Sequence, residues 1–171
     1  MINKDEIAAD FNQAFAELDK AIKLFTDKDF NVIPFADSWT AGQVAEHILL
    51  SNDGFGEVLN DKVEDATRAV DHLKIQLKEI LLNFENKMKS PEFILPALKD
   101  YDKQVQLTKS SKIKNAMLKS INDLDLSKMC VSFPLPGLGF LTRLEAIYFV
   151  IYHTERHAHQ LNEIYRFIRK S

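Results

Sequence analysis

The sequence predicts an all-α chain built as a four-helix bundle with one extra helical segment. Apolar residues recur at spacings of three and four along long runs, the mark of amphipathic helices. Two Thr-x-x-Gln/Glu tetrads, Thr40-Ala41-Gly42-Gln43 and Thr142-Arg143-Leu144-Glu145, have the form of capping boxes. Gly and Pro number only five each in 171 residues, which favours helices over turns.

In chain order, Phe11, Phe15, Leu18, Ile22 and Phe25 lie on one stripe and predict a first helix over residues 4–27. Residues 28–39 contain Pro34 and break the period, and the second helix then starts near Thr40. It carries Val44, His47, Ile48, Ser51 and Phe55 on one side, so His47 faces inward. Val70, Leu73, Leu77, Ile80 and Phe84 predict a third helix, closed by Ser90-Pro91 and a stretch holding Pro96 that makes a long connection. Ile113, Met117, Leu118 and Ile121 give a fourth helix over residues 109–123 with a weaker period. Residues 133–139, with Pro134, Pro136, Gly137 and Gly139, are the clearest break, and the last helix runs from the second capping box to about Ile168. No repeat or Gly/Ser-rich linker divides the chain, so residues 1–171 read as one domain.

Composition narrows the function. The 22 basic and 25 acidic residues leave a net charge of −3, which offers a phosphate backbone no attractive field, so nucleic acid is not an expected partner. The longest apolar stretch, residues 146–152, is far short of the about 20 needed to span a bilayer. The opening residues lack the apolar core of a signal peptide, and the one cysteine, Cys130, cannot form an internal bridge, which together point to a cytoplasmic protein. Lys128 is the only cation near Cys130 in sequence, so this thiol reads as a buried small residue rather than a nucleophile. The twelve Phe residues read as core packing.

The chemistry sits in the histidines. His153 and His157, four residues apart on the last helix, leave one face together at a spacing that suits one metal ion. A catalytic zinc site takes three protein ligands and an open position, and inward-facing His47 is the natural third. A satisfied polar cluster is the alternative that spacing alone leaves open. His159 aligns with Glu155 and Glu163 on a solvated line, and His72 lies among alternating charges, so neither is expected to join. In His153-Thr154-Glu155-Arg156-His157 the acid stands two places after the first His rather than one, which excludes the metalloprotease helix. The positions three before the inward histidines are Val44, Val150 and Thr154, which excludes a carboxylate-bridged pair of ions. A single divalent ion on neutral ligands is left. Imidazole suits zinc, nickel, copper and iron alike, and zinc is favoured by availability. Glu46 and Asp53 read as surface carboxylates, and no general base is assigned.

Ser38-Trp39-Thr40, Glu46-His47-Ile48, the 134–139 loop, Thr142 and His153-x-x-x-His157-x-x-Gln160-Leu161 together resemble the DinB-like superfamily, which also includes the YfiT-like proposed metalloenzymes. The resemblance covers essentially the whole chain. It implies an up-down-down-up four-helix bundle, a homodimer, and a divalent metal on His47, His153 and His157. Some relatives look like thiol transferases and some like thiol-dependent isomerases. The expected function is therefore a metal-dependent hydrolase or thiol (S-)transferase acting on a small molecule, a low-molecular-weight thiol among the candidates. A non-catalytic metal-binding or stress-response bundle is the rival. The implied topology places the ion a few turns below the end that carries residues 36–39 and Tyr165, with an open mouth shaped by Trp39. It places the 134–139 loop at the opposite end as a tight connection.

Overall fold

The computed structural model describes residues 2–170, and they are mostly helical. Five helices follow one another as α1 (Lys4–Lys23), α2 (Ala41–Asn60), α3 (Lys74–Leu81), α4 (Lys103–Asp123) and α5 (Arg143–Lys170). Short 3-10 turns occupy Asp29–Asn31 and Glu92–Ile94. Two strands of two residues each, β1 (Val63–Glu64) and β2 (Met129–Cys130), pair antiparallel with Val63 opposite Cys130. Sequence patterning gave no sign of so short a sheet.

Both capping boxes form. Gln43 N–H donates to Thr40 Oγ1 at 3.1 Å while Thr40 N–H donates to Gln43 Oε1 at 3.0 Å. Glu145 N–H and Thr142 N–H make the same exchange with Thr142 Oγ1 and Glu145 Oε2 at the start of α5. These bonds satisfy amides that a helix start otherwise leaves free, and they set where both histidine-bearing helices begin.

Helix boundaries differ from the periodic reading where tertiary contacts claim the backbone. α1 ends at Lys23 rather than 27, because Leu24 N–H and Phe25 N–H reach back only three residues, to Ala21 and Ile22. Phe25 stays buried against Phe30 and Tyr165 from outside the helix. α3 starts at Lys74 instead of Val70, since the Val70 carbonyl accepts from Thr142 Oγ1 and Leu73 N–H donates to Glu145. α4 starts at Lys103 instead of 109, with Asp102 Oδ1 capping Val105 N–H at 2.9 Å. Its first turns bury Gln106 and Ser110, so their inner face carries no apolar period to read.

α5 packs against α1, α2 and α3, and α4 packs against α1 and α2. The buried apolar side chains fall into two clusters, one around Phe11, Phe15, Phe55, Leu59 and Ile147, the other around Leu18, Ile22, Phe30, Ile48 and Leu161. Buried polar pairs interrupt this interior. Ser110 Oγ donates to Asp19 at 2.7 Å, Gln106 Nε2 to the Gly42 carbonyl at 3.0 Å, and Asn52 Nδ2 to Thr154 Oγ1 at 3.1 Å. On α5, His153, Thr154 and His157 form a polar waist between the first cluster, which ends at Tyr152, and the second, which resumes at Ala158.

Beside the β1–β2 pairing and the Thr142–Val70 bond, a buried carboxylate anchors the 61–73 segment. Glu145, 0% exposed, accepts both Arg68 guanidinium nitrogens at 2.5 and 2.7 Å, along with Leu73 N–H at 2.7 Å. Burial alone would raise its pKa, but the bonds from Arg68, Leu73 and Thr142 outweigh it and hold the carboxyl below its usual range. Removing one partner of such a pair strands a buried charge. We expect Arg68→Met to lower stability by about 3 kcal/mol in urea unfolding, and a loss below about 1 kcal/mol would contradict this anchoring role.

Candidate metal centre

α2 and α5 bring His47, His153 and His157 together. The capping box at Thr40 fixes the start of α2 and so places His47 two turns in, beside Ser51 one turn further on. The capping box at Thr142 does the same for α5, and Arg143 Nε donates to the Leu59 carbonyl at 2.8 Å, so the start of α5 meets the end of α2. One ligand nitrogen of each histidine lies within 4.8 Å of the other two. Nε2 of His153 and Nε2 of His157 are 2.9 Å apart. The nitrogens of a tetrahedral zinc site stand about 3.3 Å apart for bonds near 2.05 Å, a spacing these distances bracket. The three side chains could hold a divalent metal ion.

Each imidazole is oriented through its other nitrogen. His47 Nδ1 donates to the Ile94 carbonyl at 3.0 Å and lies 3.2 Å from Ser90 Oγ. A carbonyl only accepts, so the proton sits on Nδ1 and Nε2 keeps its lone pair. His157 Nδ1 likewise donates to Gln160 Oε1 at 2.8 Å. His153 Nδ1 meets Ser51 Oγ at 3.2 Å, and a hydroxyl serves either tautomer. Metal-ligating histidines are held in this way by outer partners. Trp39 at 5.2 Å from the His47 ring and Phe149 at 5.2 Å from the His153 ring give the centre apolar walls.

The other sequence candidates stand apart. His72 is exposed, as expected. His159 also lies outside the centre, but it is half-buried, not on an open solvated line, because Phe84 stacks on it at 4.0 Å. Glu155 is half-buried too. Glu46 turns to α4, accepting from Gln106 Nε2 at 3.2 Å and Lys109 Nζ at 3.4 Å, and Asp53 is exposed. Cys130 is buried, and burial pushes its thiol up to about 11. Trp39 does adjoin the centre, whereas Tyr165 faces Phe25. Gly137 and Gly139 adopt positive φ, and Leu135 pairs with Gly139, so the 134–139 loop is the tight connection expected.

One expectation is overturned: the metal face is covered. His47, His153 and His157 are 4%, 8% and 7% exposed, and the crossover that carries Ser90 and Ile94 lies across His47. Sequence reasoning missed these two partners, which sit in a loop with no period. Ser51 and Gln160 carried a signal, since they follow His47 and His157 at helical spacings of four and three.

A family model of the DinB superfamily matches residues 10–161. The chain belongs to the DinB superfamily. The uncharacterized protein YuaE of Bacillus subtilis (strain 168) is 25% identical to it over 158 residues, which cover 90% of this chain and 94% of YuaE. No solved structure matches the chain. In this DinB-superfamily chain the matched span contains all three histidines and the residues that orient them.

Burial keeps the centre neutral. It lowers the pKa of His47, drives His153 well below the usual histidine value and, with His47 nearby, pushes His157 down to about 3. Neutral imidazole is the form that binds a metal. It also ties stability to pH: the unfolded chain, with histidines near 6.5, binds more protons than the folded one once pH falls below that value. Without metal, stability should be full above about pH 6.5 and fall with acid, by about 1.4 kcal/mol per pH unit for each imidazole kept neutral by the fold. Urea midpoints between pH 7 and 5.5, above the carboxylate range, test this. A flat profile would contradict it.

Proposed function

We propose that this chain is a metal-dependent enzyme, a hydrolase or thiol (S-)transferase, that holds a divalent ion on His47, His153 and His157. The observation that carries the reading is the convergence of three buried, neutral imidazoles, each with one nitrogen engaged elsewhere and one left toward the others. Zinc is favoured by availability, with nickel or iron also suited to such ligands. A divalent ion on three uncharged ligands supplies Lewis acidity that makes water or a thiol nucleophilic near neutral pH. The protein's own part is to keep the imidazoles neutral, orient them through Ile94, Ser51 and Gln160, and exclude bulk water with Trp39 and Phe149. The substrate is a small molecule, with a low-molecular-weight thiol as the candidate the metal chemistry suits.

A second reading, a non-catalytic metal-binding or stress-response bundle, draws support from one observation. The carboxylates nearest in sequence, Glu46 and Asp53, point to α4 and to solvent, so neither is placed as a general base.

The proposal extends to architecture. An up-down-down-up bundle of α1, α2, α4 and α5 is supported by contacts that advance together along α2 and α4, from Gly42 with Gln106 to Asn60 with Ser120. Along α2 and α5 they run in opposite directions, from Ser51 with His153 to Leu59 with Arg143. We read residues 1–171 as one such domain, cytoplasmic and paired as a homodimer, and among the described residues no helix is long and apolar enough to cross a membrane.

Elemental analysis of protein purified without a chelating tag tests the centre. We expect about one ion per chain, sharply reduced by His47→Ala, His153→Ala or His157→Ala and unchanged by His72→Ala or His159→Ala. Equal metal content in all five variants would remove the site.

A further inference from the structure

Residues 82–102 join α3 to α4 by passing over the histidine centre, and they are anchored mainly at their ends. At the start, Arg156 of α5 donates to the carbonyls of Leu81 at 3.0 Å, Asn83 at 2.9 Å and Asn86, while Phe84 stacks on His159. At the finish, Tyr101 N–H donates to Asn31 Oδ1 at 2.8 Å, Asn31 Nδ2 donates back to the Tyr101 carbonyl at 3.0 Å, and Pro96 is buried. Between the anchors the chain is largely exposed, Phe93 to 68%. Among the described residues, the hydrogen bonds from 87–95 to the rest of the protein are the two on His47 Nδ1, from the Ile94 carbonyl and Ser90 Oγ, with Phe93 against Phe133 as the ring contact.

Two consequences follow. His47 is 4% exposed beneath this crossover, so a small molecule approaching it from that side meets the crossover first. The same nitrogen that latches the crossover also fixes how His47 presents Nε2. An ion on Nε2 requires the proton on Nδ1, and that is the tautomer able to donate to the Ile94 carbonyl. Docking of the crossover and occupancy of the centre therefore favour each other, and such coupling is reciprocal.

We propose that residues 87–95 form a lid over the histidine centre, latched by His47 Nδ1, hinged at the Arg156 clamp, and closed more firmly when a divalent ion is bound. The inference rests on the metal reading above and adds to it the moving part that admits a substrate. The exposed apolar side chains on its outer surface, Phe93 and Leu95, leave it weakly held by burial, in keeping with a segment that opens at low cost.

Amide hydrogen exchange on the full chain, with and without Zn²⁺ alone, tests the lid. The reporters are the N–H groups of Ile94 and Leu95, which bond only within the crossover, to the Pro91 and Glu92 carbonyls. Zinc should slow their exchange by on the order of tenfold, while Cys130 N–H, bonded to the Leu141 carbonyl, serves as a reference and keeps its rate. Arg156→Gln, which alters no hydrogen bond of the triad, should speed exchange over 84–95. Zinc bound with Ile94 and Leu95 unchanged would overturn the lid and leave the metal centre standing. No zinc bound would overturn both. An Arg156→Gln chain equal to its parent in exchange over 84–95 would overturn the hinge.

Discussion

Three imidazoles buried side by side present six ring nitrogens, and a protein interior tolerates few of these unsatisfied. Here Nδ1 of each ring is bound by a different part of the chain, namely the α3–α4 crossover, α2 and α5 itself. Much of the structure follows from that constraint. The apolar interior divides into two clusters about a polar waist. The crossover must pass over His47 to supply a carbonyl, and α2 must start at Thr40 for Ser51 to stand opposite His153. With Nδ1 engaged, the remaining nitrogens face one another at distances as short as 2.9 Å. At that distance a proton on His153 Nε2 links the two rings, and a cation that displaces it would meet converging lone pairs.

The sequence made legible what local chemistry decides. Capping at Thr40 and Thr142 depends on tetrads four residues long, and the α1 stripe on a period that repeats within one helix. His153 and His157 share a face by spacing alone, and His47 joins them because its own helix is amphipathic. What stayed hidden was set by distant residues. The start of α3 is unravelled by Glu145 and Thr142, some seventy residues away along the chain. The first turns of α4 bury polar Gln106 and Ser110, which a search for apolar periods passes over. Ser90 and Ile94 reach His47 through an aperiodic loop, and Ile94 does so with a backbone atom common to every residue type.

The centre's chemistry is that of neutral ligands in an apolar frame. Trp39 and Phe149 flank it, and the one thiol, Cys130, is buried with its pKa raised, unfit as a nucleophile. Under the proposed function, the scaffold would contribute ligands and their orientation, and a bound ion would generate the nucleophile. Membership of the DinB superfamily and the match to YuaE extend over most of the chain, so the helices that carry the histidines lie within what is shared.

The central claim is that the three Nε2 atoms, each aimed by a bond at Nδ1, ligate one ion. X-ray absorption at the zinc K-edge of the zinc-loaded chain tests it most directly. Three imidazole nitrogens are expected at about 2.0–2.1 Å, with the outer-shell scattering of imidazole rings and one lighter ligand completing the shell. A shell of carboxylate and water oxygens without imidazole scattering, or one containing sulfur from Cys130, would contradict it.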